Sequence, residues 1–141
     1  MSALRMNRRT WLSVAVGLGL TAVAPSAFAG TYLDTATLFV GSNRKDAQML
    51  RKKPSDRDLA VAIHAVAKAR ATAAAEMNVP EKVAKAHPHF LLTLAKVERA
   101  AFSASEGNVK SLFELLESAK TEETLFLSAL KELGYSLGEG E

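Results

Sequence analysis

Cysteine is absent from the chain. That absence excludes disulfides, thiol nucleophiles, iron–sulfur clusters, covalently attached c-type haem and zinc sites built on thiolates. It also excludes a lipoprotein, since no thiol exists to receive the lipid. A Gly-rich phosphate loop is missing, and the serines at 103, 105, 111, 118 and 128 are scattered along helical stretches, none on a strand-turn-helix elbow. No histidine has a glutamate three residues before it, the spacing that di-iron bundles use on their helices. Beyond the first thirty residues only Met49 and Met77 remain, too far apart in sequence for a clustered thioether copper site; they read as gap-fillers of the core. Alternating apolar and polar positions, the mark of a strand, are not found either.

The N-terminus carries an address. Arg8 and Arg9 precede an apolar run from Trp11 to Ala24, Pro25 is expected to break any helix there, and Ala27-Phe28-Ala29 puts small residues at the two positions a signal peptidase inspects. The run is short of the roughly 20 apolar residues that cross a bilayer, and Gly17, Gly19 and Thr21 dilute it. Arg8-Arg9-Thr10-Trp11-Leu12 resembles the twin-arginine export signal of bacteria. Asn7 departs from that pattern, where Ser or Thr is commonest, as does Ser13, where Lys is frequent. The resemblance covers the leader alone and implies export by the Tat pathway, a periplasmic or secreted location, and folding before translocation. The expected organisation is a cleavable signal peptide over residues 1–29, a helical domain over 30–134 and a flexible tail over 135–141, with no transmembrane span in the mature chain.

Removal of the leader changes the charge. The precursor has 18 basic and 15 acidic residues, and Arg5, Arg8 and Arg9 leave with the leader, so 15 of each sign remain. A balance near zero removes the global argument for nucleic acid. The two signs are segregated, with twelve basic and seven acidic residues over 30–100 against three and eight over 101–141. Antiparallel packing sets them side by side.

The mature chain reads as helix throughout. Leu33, Ala36, Val40, Ala47 and Leu50 recur at steps of three and four, which predicts an amphipathic helix over residues 31–52, stopped at Lys53-Pro54. Ser55 with Asp58 looks like a capping box opening a second helix from about Asp56 to Met77. Its stripe is Leu59, Ile63, Val66, Arg70, Ala74 and Met77, and its many alanines allow a neighbour close. After Pro80 and a helical piece from Glu81 to Ala86, a third helix starting near Pro88 carries Phe90, Leu91, Leu94, Val97 and Ala101 to a Glu106-Gly107-Asn108 turn. Asn108 caps a fourth, with Leu112, Leu116, Ala119, Phe126, Leu130 and Leu133 before a left-handed stop at Gly134. Four amphipathic helices with short connections predict an all-α, up-down-up-down four-helix bundle. A three-helix core with a loose first helix is the competing arrangement.

Candidate metal ligands are His64, His87, His89, Glu98 and Glu123. Glu123 falls on the apolar seam of the fourth helix, where a carboxylate must be paired, protonated or bound to a cation; at the flank of the seam it would pair with a Lys or Arg of the basic first half. His87 and His89 flank Pro88 in a first turn, where the positive end of the macrodipole leaves a ring nitrogen free. They do not face one another, and a hairpin centred at Asn78-Val79 sets His87 against Arg70 and His64 near Thr93. The basic cluster Arg51, Lys52, Lys53 and Arg57 suits an anionic surface or an acidic partner, or simply complements a helix C-terminus. Two readings follow. The first is a non-enzymatic binding or interaction module of the bacterial cell envelope, with another envelope protein as a partner and no cofactor. The alternative is a metal- or haem-binding bundle. Ligand and oligomeric state are not written in the residues.

Overall fold

The computed structural model describes residues 20 to 138, with side chains from Gly30 onward. The export-signal residues Arg8, Arg9, Trp11 and Leu12, and the side chains of Ala27 and Ala29, therefore lie outside the described residues. Four helices follow in order: α1 (Leu20–Lys52), α2 (Arg57–Glu76), α3 (His87–Ser105) and α4 (Val109–Glu132), with a single 3-10 turn at Glu81–Val83 between α2 and α3. No strand occurs among the described residues. Helix α1 passes through Pro25, where a break was expected; one proline removes one backbone hydrogen bond and can be absorbed as a bend.

The helix ends obey local rules. Asp56, not Ser55, caps α2, its side chain accepting from the Leu59 amide. Asn108 caps α4 by accepting from the Ser111 amide. Gly107 and Gly134 hold φ of 80° and 88°, the left-handed values that let glycine end α3 and α4.

Each helix buries one stripe, which on α2 is rotated from the expected one. On α2 the inward residues are Ala60, Ile63, Ala67, Arg70 and Ala74, so the face is turned toward the alanines and Val66 is left exposed. On α4 they are Leu112, Leu116, Ala119, Phe126 and Leu130, whereas Leu133 reaches solvent. Two apolar clusters result. One joins Tyr32, Ala36 and Val40 to Ala74, Phe90, Leu94, Phe126 and Leu130. The other joins Leu50 to Ala60, Ile63, Val97, Ala101, Leu112 and Leu116. The Tyr32–Val40 stretch of α1 thus meets the end of α2, the start of α3 and the end of α4, and the Leu50 end meets the opposite ends, which is the up-down-up-down order. Helix α3 packs closely on both α2 and α4, while α1 lies over it with lighter contact and touches α4 least. Of Met49 and Met77, both expected as core gap-fillers, Met77 packs on the first cluster and Met49 faces water.

The tail expected to fray lies along α1 as far as Gly138, whose amide donates to Thr37 Oγ1 at 3.1 Å. Tyr135 and Leu137 pack on the aromatic cluster.

A polar layer separates the clusters. Arg70 is buried and donates from Nη2 to Asp46 Oδ2 at 2.6 Å and from Nη1 to Asn43 Oδ1 at 3.2 Å. Asn43 Nδ2 in turn donates to the Thr93 carbonyl at 3.3 Å, linking α1 to α3. Among the described residues no buried side-chain nitrogen or oxygen is left without a partner. Removing one member of such a pair strands the other, at about 3–5 kcal/mol, whereas replacing both with apolar residues of similar volume is often neutral. Urea denaturation should therefore show a loss of about that size for Arg70→Ala, with the double variant Arg70→Met, Asp46→Leu regaining at least half of it.

Candidate functional site

Helix α1 touches α4 less than it touches α2 or α3, and a groove runs between α1 and α4 over α3. The inward placement of Asn43 and Asp46 on α1 turns Arg44, Ala47, Gln48 and Arg51 toward it. Helix α4 supplies Leu116, Ala119, Lys120 and Glu123, and Thr93 and Val97 of α3 form the floor. This part of the groove measures about 210 Å³. A larger part, about 660 Å³, lies toward the tail, between Thr37, Val40 and Arg44 of α1, Leu127, Leu130 and Lys131 of α4, and the Tyr135–Gly138 segment. Arg44 lines both.

Two ion pairs span the groove. Arg44 meets Glu123 through a fork, Nε to Oε1 and Nη2 to Oε2, each at 3.0 Å. Arg51 Nη2 reaches Glu117 Oε1 at 3.2 Å. Lys120 stands between the two glutamates on α4 and has no ion-pair partner among the described residues.

The candidate metal ligands are dispersed. Glu123 lies at the flank of its seam on Arg44. His64 Nε2 is 4.0 Å from Glu98 Oε1, and its ring lies against Phe102, with centroids 5.6 Å apart. It does not reach Thr93, because the 3-10 turn and the residues around it lengthen the α2–α3 connection and shift the register by several positions. For the same reason His87 is not opposite Arg70; its Nδ1 meets the hydroxyl of Tyr32 at 2.8 Å. His89 Nδ1 lies 2.9 Å from Glu122 Oε2, on the α3–α4 seam. Among the described residues no three His, Asp or Glu side chains converge on a common point.

Sequence reasoning missed one juxtaposition with a chemical precedent: Lys96 Nζ donates to Ser118 Oγ at 2.5 Å. A lysine beside a serine can serve as base to nucleophile. Here both residues stand mid-helix, where backbone amides are engaged in the helical ladder, so no donor pair is free to hold an oxyanion.

Tyr32 is 2% exposed, and burial raises its phenol far above the ordinary range. The hydroxyl therefore stays protonated, and it shares a hydrogen bond with His87 Nδ1. Burial likewise lowers the His87 pKa below its ordinary 6.5, where the sequence had suggested the helix macrodipole as the cause. Tyr32, Phe90 and His87 form a triangle of rings, with the Tyr32 and Phe90 centroids 5.6 and 5.8 Å from that of His87.

No protein-family model matches the chain, and neither a curated protein nor a solved structure matches it.

The His87 shift fixes the sign of a pH effect. The unfolded chain takes up its proton near the ordinary value and the folded chain only at lower pH, so between the two the unfolded state binds more protons. The His87 contribution is full above about pH 6.5 and declines below it. Measured by urea denaturation from about pH 7.5 to about pH 5, the stability of His87→Asn relative to the parent should rise as pH falls. A constant difference would show that His87 titrates alike in both states.

Proposed function

We propose that the chain is an exported, non-enzymatic binding module of the bacterial cell envelope, with the α1–α4 groove as its ligand site. The groove carries the reading. It is a place where two helices of the bundle stand apart, Thr93 and Val97 form its floor, and two ion pairs cross between its walls. Its larger part falls within the roughly 300–1,000 Å³ range of small-molecule sites. Absence of a catalytic role is inferred from the paired state of the titratable groups: each histidine faces one partner, and the one serine–lysine pair lacks an oxyanion site. Export is inferred from the leader, whose paired arginines and Ala27-Phe28-Ala29 boundary need nothing from the bundle. The buried residues of both apolar clusters fall between 32 and 130, outside the leader. The metal- or haem-binding reading has less support, since His64, His87, His89, Glu98 and Glu123 fall at four separate places.

Two measurements test this. Replacing Arg8 and Arg9 together with lysine should leave the uncleaved precursor inside a Tat-competent host, while the parent matures to a chain beginning at Gly30 by intact mass; equal export of both would remove the Tat assignment. The purified mature protein should carry no stoichiometric metal and no visible absorbance, and chelator should leave its melting temperature unchanged. Stoichiometric metal or a haem band would transfer the assignment to the alternative.

A further inference from the structure

We propose that the groove takes a monocarboxylate on a short apolar chain, the carboxylate on Arg44 and the chain in the larger chamber beneath the C-terminal tail. This rests on the reading of the groove as a ligand site and names the ligand class for it. The larger chamber is walled by Val40, Leu127, Leu130, Tyr135 and Leu137, which suits an apolar body. Its lining includes two cations, Arg44 and Lys131, and no carboxylate. The two cations favour negative charge on the ligand and the rest of the wall favours hydrocarbon; the fork of Arg44 is the one shaped for a carboxylate. Thr37 and Arg44 stand seven residues apart on α1, about 10 Å at the helical rise, so the chamber suits a chain of modest length.

Arg44 is already set to receive a carboxylate. Its guanidinium holds Glu123 in the bidentate geometry that planar carboxylates favour. The arginine side chain is 55% exposed and open to a solute, whereas Glu123 is 17% exposed, so exchange requires the glutamate to swing out of its flank to a new partner. A ligand carboxylate takes the place of Glu123 on the same fork. The displaced glutamate has Lys120 three residues earlier on its own helix, a spacing at which side chains meet. The outer wall is the tail, held by the hydrogen bond from the Gly138 amide to Thr37 and by the packing of Tyr135 and Leu137.

Titration calorimetry and native mass spectrometry of the purified exported protein test the assignment with octanoate, decanoate, octanol and octyltrimethylammonium. One carboxylate should bind per chain, tightening about fourfold for each added methylene. Octanol should bind about tenfold more weakly than octanoate, and the ammonium compound should not bind. Arg44→Gln should weaken octanoate about tenfold while leaving octanol unchanged, and Glu123→Gln, by freeing the fork, should strengthen octanoate severalfold. Circular dichroism would verify that both variants fold. Equal binding of octanoate and octanol, or an Arg44→Gln variant that binds octanoate like the parent, overturns the carboxylate assignment while the groove stands as a ligand site. Failure of all four compounds overturns both.

Discussion

The geometry of this bundle depends on one buried cation. Arg70 sits on the inward stripe of α2 with its guanidinium shielded from water, and a charge so placed is tolerable only where its donors are answered. Asp46 and Asn43 answer them, and both must come from a single face of α1 at the height of Arg70. Apolar side chains tolerate a slide or a rotation along a neighbour, since hydrophobic attraction has no direction. A hydrogen-bonded ion pair does not. The layer therefore fixes where α1 sits along α2, and through the Thr93 carbonyl along α3 as well. Once Asn43 and Asp46 point inward, helical geometry leaves Arg44 and Arg51 at the flank that looks toward α4, so the groove and its charges follow from the core.

Side-chain size accounts for the space itself. Helix α2 presents Ala60, Ala67 and Ala74 to its neighbours, and α3 presents Ala100, Ala101 and Ala104. Such residues let backbones approach closely. Helix α1 brings bulk to one end of the bundle in Tyr32 and polar groups to the layer beside it in Asn43 and Asp46. The aromatic end is filled by rings, with Phe90 and Phe126 centroids 5.1 Å apart and Tyr32 edge-on to Phe90 at 6.3 Å. Contacts of this kind wedge α1 over α3 and leave its other flank short of α4.

Much of the fold was legible because it rests on periodicity. The stripe of Leu112, Leu116, Ala119, Phe126 and Leu130, the Asn108 cap and the two glycine stops depend on local geometry that a chain states directly. The stripe of α2 was harder to read. Val66 outranks alanine in hydrophobicity, yet the close approach of α3 selects the smaller residues and turns Val66 outward. On α1 the apolar series skipped from Val40 to Ala47, and the slots between belong to Asn43 and Asp46. Polar residues at inward positions were the signal, and Arg70 on the facing stripe was its complement. Pairwise matching of the two would have found the layer. The histidine contacts were not legible, since the connection between α2 and α3 sets the register and its 3-10 turn has no sharp periodic signature.

The segregation of charge along the chain finds its use at the groove. Basic residues of the first half and acidic residues of the second meet in two cross-groove pairs, Arg44 with Glu123 and Arg51 with Glu117. Had α1 and α4 been sealed by leucines, opening the seam would expose apolar area at about 25 cal/mol for each Å². Partly exposed ion pairs contribute only about 0–1 kcal/mol each, since water competes for both members. A seam closed by such pairs holds its helices in register with little resistance to exchange. The same weakness that makes these pairs poor contributors to stability makes them good occupants of a site, because a solute carrying the right charge can replace one partner without disturbing the buried layer beneath.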